Sequence, residues 1–568
     1  MRIVVLIVMG LLVSAVTVAG LGGMLLFSTD RVHVPPPPPP ARVDEGLGDH
    51  TRRVATANAE AQTCFDQGLA FLYAFNHDEA IRRFERTLSH DPDCAMAHWG
   101  VALASGGHIN RPMVDAARAK RAFAASRRAL ELAEQGSPAD RALIEALVKR
   151  YADPLPADRT MLERAYADAM RAAWRAHPDD ADIGALFAES RMNLRPWDLW
   201  THEGQPRPET PEIVATLEEV LRLNPRHPLA LHLYIHAVEA SPDPGKADEA
   251  AERLRHLQPG LGHMVHMPSH IDVRRGRWRK AIEANERAIE ADARYRARHP
   301  QQDFYHLYMA HNYHMLAFAA MQTGESERAL TAVRTMLQSV PPDWLAVPEN
   351  AALADGFLAA PGKVLLRFGR WEEVLREPAP PAGFPIARTL WHHARGVALA
   401  AQGHTDKARA EWLALQTSAK DTPATATFGN NRAADIFAVA EAMLEGEILA
   451  QEGNLDDAIA RLREAVKRED ALRYDEPPGW ILPVRHALGG FLLRQGKVAE
   501  AEAVYREDLR RWPNNGWGLY GLMQCLERQG QKDEAKQVRQ KWQEVWKRGD
   551  IRIHASCLCV PPEPREKP

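Results

Sequence analysis

The pattern of apolar and polar positions divides the chain into three stretches. From Ile3 to Phe27 no charged residue interrupts an apolar run, which at about 1.5 Å of helical rise per residue is long enough to cross a bilayer core of about 30 Å. This predicts a membrane anchor over residues 1–29. The small residues Thr17-Val18-Ala19 offer a cleavable signal peptide as the other reading. With Arg2 on the cytoplasmic side, the bulk of the chain is expected in the periplasm or at the cell exterior, and secreted if the segment is cleaved. Residues 30–58 are polar and unpatterned, and the unbroken run Pro35 to Pro40 makes them a stiff, extended linker. From Ala59 the apolar positions take up a helical period, so the remainder is expected to be all-α.

The helices come in pairs with a shared ending. A glycine or turn residue precedes an aromatic or polar residue, then comes a small residue where the two helices cross, and a proline or acid follows the second helix. Copies are Phe75 to Ala80 ending at Asp91-Pro92, Gly276 to Ala281, Gly324 to Ala329, Gly403 to Ala408, Gly453 to Ala458, Gly496 to Ala501 ending at Trp512-Pro513, and Gly530 to Ala535. Glycine ends the first helix in a left-handed cap, and alanine at the crossing lets the axes approach closely. His232 and His236 recur as His266 and His270, each 34 positions on.

That period and these endings resemble the tetratricopeptide repeat (TPR) family over most of residues 59–548. The resemblance implies a superhelical solenoid of stacked helix pairs, in which the first helix of each unit lines a concave groove suited to a protein or peptide partner. Phe75-Asn76-His77, Cys94 to Gly100, His266-Met267-Pro268-Ser269-His270-Ile271 and Tyr474 to Pro478 are similar to motifs of one group of bacterial repeat proteins, a likeness that implies a fold and no established activity. The period lapses around Ala116 to Ala173 and between Asp292 and Tyr308. A Pro-rich segment, 378–387, is the expected boundary between an N-terminal solenoid, 59–377, and a C-terminal one, 388–548, with a tail over 549–568.

Register decides where the histidines point. Aligned on the crossing alanines Ala247, Ala281 and Ala329, His232, His236 and Glu239 fall on the groove face of one unit, His263, His266, His270 and Arg274 on the next, and His311 and His314 on a third. Imidazoles at positions i and i+4 of a helix project in one direction and can share an ion, so one reading is a zinc, copper or iron site. Glu239 would then ligate, orient an imidazole, or act as a base on metal-bound water. A second reading is a metal-free polar groove, in which these histidines and Tyr234, Tyr305, Tyr308 and Tyr313 recognise a peptide, and a third is histidines that serve structure alone. Pro268 falls inside its helix and is expected to bend it.

A second constellation lies further on. Tyr474, Glu476, Trp480, Arg485 and His486 precede or open one first helix, and Asn514, Asn515, Trp517 and Tyr520 open the next. Arg485 among aromatics suits a carboxylate or a peptide terminus, with Tyr474, Trp517 and Tyr520 as further ligand-binding candidates; packing between repeats and helix capping are the competing uses. Cys64 and Cys94 belong to the first helices of adjacent units and form a candidate disulfide outside the cytoplasm. The terminal His554, Cys557 and Cys559 offer three ligands to a soft metal, or else a strap or an intramolecular disulfide.

Composition narrows the function. The net charge is −4 and basic residues are interspersed with acids, which argues against a nucleic-acid surface. There is no phosphate-binding glycine loop, G-x-S-x-G elbow or dinucleotide fingerprint, so any catalysis has to use the histidines. The expected function is a membrane-anchored scaffold binding a protein or peptide through its groove; the alternative is a metal-binding protein, or a metal-dependent enzyme, built on the histidines of 232–314.

Overall fold

First helices such as Ala95–Ser105, Pro228–Val238 and Val484–Arg494 are buried on almost every side, whereas second helices such as His77–His90, Leu455–Asp470 and Val498–Arg511 bury one stripe. A helix that is apolar all round must be covered all round. Each first helix is accordingly sandwiched between neighbours, and each second helix faces solvent with its charged side. The structure, a computed structural model, describes residues 45–300 and 302–562. Apart from a two-stranded antiparallel ribbon, Thr427–Phe428 with Asn431–Arg432, the regular elements among them are helical, and the fold is an all-α solenoid of helix pairs. The expected anchor or signal segment, 1–29, lies outside the described residues. No helix among the described residues is long and apolar enough to cross a membrane.

The apolar interior forms two clusters, one running from Phe65 to Met309 and the other from Val273 to Val560. They change over between residues 273 and 309, upstream of the Pro-rich segment expected as a boundary. The second cluster runs straight through 378–387, and residues 41–568 form one compact unit. Local hydrogen bonds explain why the prolines do not divide it. The Asp355 carboxylate accepts from the backbone N–H groups of Ile386 (2.9 Å) and Ala387 (2.8 Å), fastening the following helix to the preceding unit.

The extended linker expected over 30–58 is docked where it is described. The Gly46 carbonyl accepts from Gly260 N–H (2.8 Å), and the Leu47 carbonyl from the Gln258 amide (2.7 Å). Arg52, 9% exposed, donates to Asp140, Asp180 and Asp182 at 2.9–3.1 Å. Asp182 also accepts from Tyr73 Oη (2.6 Å) and meets His50 and His227 Nε2 at 3.0 Å. Burial works against its charge, but the hydrogen bonds and positive charge around it hold its carboxyl well below the usual range.

The solenoid also closes on itself at the other end. Trp278 Nε1 donates to the Pro513 carbonyl (3.0 Å), Trp517 Nε1 to Met321 (2.7 Å), and Asp550 N–H to Gly324 (3.0 Å), so the last repeats seat on the turns of the middle ones. Gly276 and Gly324 permit this approach: both have left-handed backbone, and a Cβ on either would run into Pro513 or Trp546. The expected Cys64–Cys94 disulfide is absent. Both thiols are free and buried, and burial pushes Cys94 up to about 11. The disulfide among the described residues joins Cys557 to Cys559.

Two stability measurements follow. Gly276→Ala should lose about 1–3 kcal/mol for its left-handed backbone alone, and more for the collision with Pro513, read as a lower urea midpoint at unchanged slope. Asp182, whose folded pKa is depressed, contributes stability above its unfolded value of about 3.9 that is lost as pH falls through the folded one. Asp182→Asn should therefore be less stable at neutral pH and show a flatter acid limb in unfolding measured against pH.

Candidate metal centre

Three neighbouring first helices carry the histidines. Pro228–Val238 bears His232 and His236, with Glu239 at its C-cap; Tyr305–Gln322 bears His311 and His314. Between them Pro268 splits one helix into Gly262–His266 and Pro268–Arg274. Met267, between the two pieces, keeps helical backbone (φ −48°, ψ −41°), so His266 and His270 stay an i, i+4 pair on one face and meet with their Nε2 atoms 2.7 Å apart. The Nε2 atoms of His232 and His263 meet at 3.2 Å.

Hydrogen bonds on the far side of each ring determine what meets there. His232 Nδ1 lies 2.8 Å from the Tyr73 carbonyl, His236 Nδ1 2.8 Å from Glu239 Oε1, and His270 Nδ1 2.5 Å from Glu239 Oε2. His266 Nδ1 lies 2.7 Å from Asn285 Oδ1, an orientation fixed because the Asn285 amide nitrogen donates to the Ala281 carbonyl (2.8 Å). All four partners are acceptors, so each Nδ1 carries the hydrogen and each neutral ring turns an Nε2 lone pair inward. His266 and His270 then oppose two lone pairs across 2.7 Å, an arrangement that calls for a cation between them. His236 Nε2 has no partner at all. Donor atoms of His232, His236 and His263 lie within 4.8 Å of one another, as do those of His266, His270 and His311, and those of His236, Glu239 and His270.

The site is enclosed, where the sequence suggested an open groove. His232 and His266 are 0% exposed and His236 6%, because chain segments remote in sequence cover them, while His311 is half-buried. Phe75 places its ring 4.4 Å from that of His232 and 4.8 Å from His108, which in turn lies 4.3 Å from His77. Trp197 packs edge-on to His236 at 5.2 Å and donates to Asn110 Oδ1 (3.0 Å). Tyr474 reaches over from the C-terminal half, its hydroxyl 3.5 Å from Glu239 Oε2 and hydrogen-bonded to Glu476. Three non-glycine residues among those described have left-handed backbone, and two of them are Phe75 (φ +56°) and Trp197 (φ +59°). Bulky residues adopt that region at a cost, which here accompanies ring contact with the histidines.

Phe75, His77, His108, Trp197 and Asn285 were not among the expected site residues. One signal was legible: Phe75 stands at the turn where most other copies have glycine. His314 is not brought in; it packs against Phe357 at 5.2 Å, outside the donor sets. Arg274 lies over the rings of Tyr474 and Trp512 and donates to the Ser241 carbonyl (3.4 Å), at the rim. Arg485 is paired with Asp470 (2.7 and 2.8 Å), Trp517 is buried against Trp546 and Arg367, and Tyr520 packs on Trp542, so these three serve packing and leave no clamp. Of the second constellation, Tyr474 and Glu476 belong to the histidine site.

Charge within the site is graded. Burial lowers the pKa of His232, His263, His266 and His311 well below the ordinary value, helped by neighbouring imidazoles, and so favours neutral rings. His270 is the exception: burial opposes its charge, but the Glu239 carboxylate raises its pKa. Glu239 is held low against burial by His270 and His236, whereas burial raises Glu476. A proton on His270 can therefore bridge its pair with His266, and a neutral His263, whose Nδ1 has no partner, can donate from Nε2 to His232.

The TPR family profile, described as tetratricopeptide repeat, matches residues 65–105 and 492–544, which are helix pairs at the two ends of the solenoid. These matches show tetratricopeptide repeats in both end regions of the chain. Among solved structures it is similar to the anaphase-promoting-complex hetero-tetramer Cut9–Hcn1, at 14% identity over 85% of this chain and 79% of that one, TM-score 0.31. It is also similar to the human IFIT1 dimer with m7Gppp-AAAA (12% identity, 86% and 91% covered, TM-score 0.32) and to the P58(IPK) TPR domain (12%, 86% and 100%, TM-score 0.22). No curated protein matches the chain.

Glu239 and Glu476 should respond differently to amide substitution. Glu239→Gln puts an amide donor against an Nδ1–H and leaves a buried charge pair broken, which should cost about 3–5 kcal/mol in urea unfolding. Glu476→Gln, replacing a carboxyl that burial keeps protonated, should cost less than about 1 kcal/mol.

Proposed function

We propose that this repeat protein is a metalloprotein whose closed interior holds two transition-metal ions side by side, one on His232, His236 and His263, the other on His266, His270 and His311. The observation that carries this reading is the convergence of inward Nε2 lone pairs on His232, His236, His266 and His270, whose Nδ1 atoms are committed to acceptors, with His263 and His311 beside them. Carboxylate, carbonyl and amide oxygens behind the imidazoles fix tautomer and orientation, the arrangement metal-ligating histidines generally need. All-imidazole sets suit copper, zinc or iron, and the affinity order for divalent ions favours copper. Glu239, shared by His236 and His270, would orient one ligand of each ion. A pocket lined by Ile109, Trp197, Trp200, His236, Glu239 and Tyr474 lies at the edge of the site, with room for about one water.

The TPR fold commonly binds protein partners, which supports a scaffold role for the outer surfaces. The buried histidines would not take part, since a peptide cannot reach rings enclosed by Phe75, Trp197 and Tyr474. The uncharged run Ile3 to Phe27 supports a tether that leaves the shell outside the cytoplasm.

Untagged protein spanning residues 41–568 should carry about two transition-metal ions per chain by elemental mass spectrometry, or take them up on reconstitution. His236→Ala/His270→Ala should lose them, and metal at a hundredfold over its Kd should raise wild-type stability by about 2.7 kcal/mol for each site filled while leaving that variant unmoved. Failure of zinc, copper and iron alike to bind would sink the reading.

A further inference from the structure

A second cluster of ligating side chains, sharing no residue with the histidine centre, lies under the C-terminal tail. The tail is laid into the solenoid and pinned there: Ser556 Oγ donates to the His486 carbonyl (2.7 Å), Gln451 Nε2 donates to the Cys559 carbonyl (2.9 Å), and His554 Nε2 meets the Val560 carbonyl (2.7 Å). Gly490 makes room for it, since a Cβ there would meet the Val560 side chain at 2.7 Å. The bend so held carries Cys557 and Cys559, joined to each other, and it faces Glu447 on the helix Ala433–Gln451.

Glu447 is the anomaly. It is 2% exposed, and neither carboxylate oxygen has a hydrogen-bond partner. A buried carboxyl without partners costs on the order of a few kcal/mol and calls for a reason. One of its oxygens and the two sulfurs lie within 4.8 Å of one another. His393 lines the same pocket with its Nε2 unpartnered, beside Trp480. Unmet polar groups at one place, beside two cysteines, indicate an occupant that the oxidised tail does not satisfy.

We infer that Cys557, Cys559 and Glu447 form a redox-gated site for a soft transition-metal ion, closed while the cysteines are disulfide-bonded and opened by reduction. The step balances as a thiol–disulfide exchange: an external dithiol supplies two electrons and two protons, is itself oxidised to a disulfide, and leaves two thiols. On binding a divalent ion the thiols lose their protons to solvent, as does the Glu447 carboxyl, giving two thiolates and a carboxylate as ligands. Two sulfurs and one oxygen suit zinc or cadmium, and the sulfurs alone suit copper(I). The site is independent of the histidine centre in residues and in redox requirement.

The test uses the full-length chain in detergent, as isolated and after reduction by a dithiol that is then removed without air. Thiols counted on denatured protein should rise from three to five. Titration with Cd²⁺ should then produce thiolate-to-metal charge-transfer absorbance in the ultraviolet, saturating at about one ion per chain, in the reduced protein only. Imidazole sites give no such band, so it should persist in His236→Ala/His270→Ala. Cys559→Ser should abolish it, and Glu447→Gln should weaken Cd²⁺ affinity about tenfold or more at an unchanged thiol count. Reduced wild-type protein with five free thiols and no band would overturn the inference regardless of how any variant folds. A Glu447→Gln protein binding as tightly as wild type would overturn the assignment of Glu447.

Discussion

Glu239 gives one carboxylate oxygen to His236 on its own helix and the other to His270 on the next unit, while Tyr474 approaches from the far half of the chain. A single buried charge thus ties two adjacent repeats and a distant loop. Its effect goes beyond attraction. By accepting from both Nδ1 atoms it determines which nitrogen of each ring is bare, and so turns a set of histidines into a set of donors aimed at common points. Replacing it with a neutral group would leave the rings present and their lone pairs unassigned.

Burying this many imidazoles requires a shell that an open solenoid does not provide. The superhelix curls tightly enough for the turn at 73–77 to lie against the helix Pro228–Val238 and for the last repeats to seat on the turns near 276 and 324. Phe75 and Trp197 fill the remaining gaps from backbone positions unfavourable to large residues. Close packing and local strain are in this way concentrated around the polar centre, where a looser wall would let water compete for the donors.

The sequence carried the repeat architecture and the alignment of His232, His236, His266 and His270, because both depend on local periodicity. The same logic brought Glu239 to the right face. What it could not carry depends on contacts between distant segments. His232 bonds to a carbonyl 159 residues away and Tyr474 approaches a carboxylate 235 residues away, and no repeat spacing encodes either. Hence an open groove was expected where there is an enclosed chamber, and residues 45–58 read as linker although Arg52 is clamped by three aspartates. Pro378 to Pro385 looked like a boundary because proline composition cannot show that Asp355 caps the next helix.

The order in which the chamber's walls are made has a consequence of its own. Synthesis proceeds from the N-terminus, so the turn at 73–77 and the histidine helices are complete well before Tyr474 is joined to the chain. For that interval the nascent protein presents its donors through an unfinished wall, and the arrival of the 474–476 segment closes it. Until that segment is in place the wall around the histidines stays incomplete, so enclosure of the chamber rests on the C-terminal half of the chain.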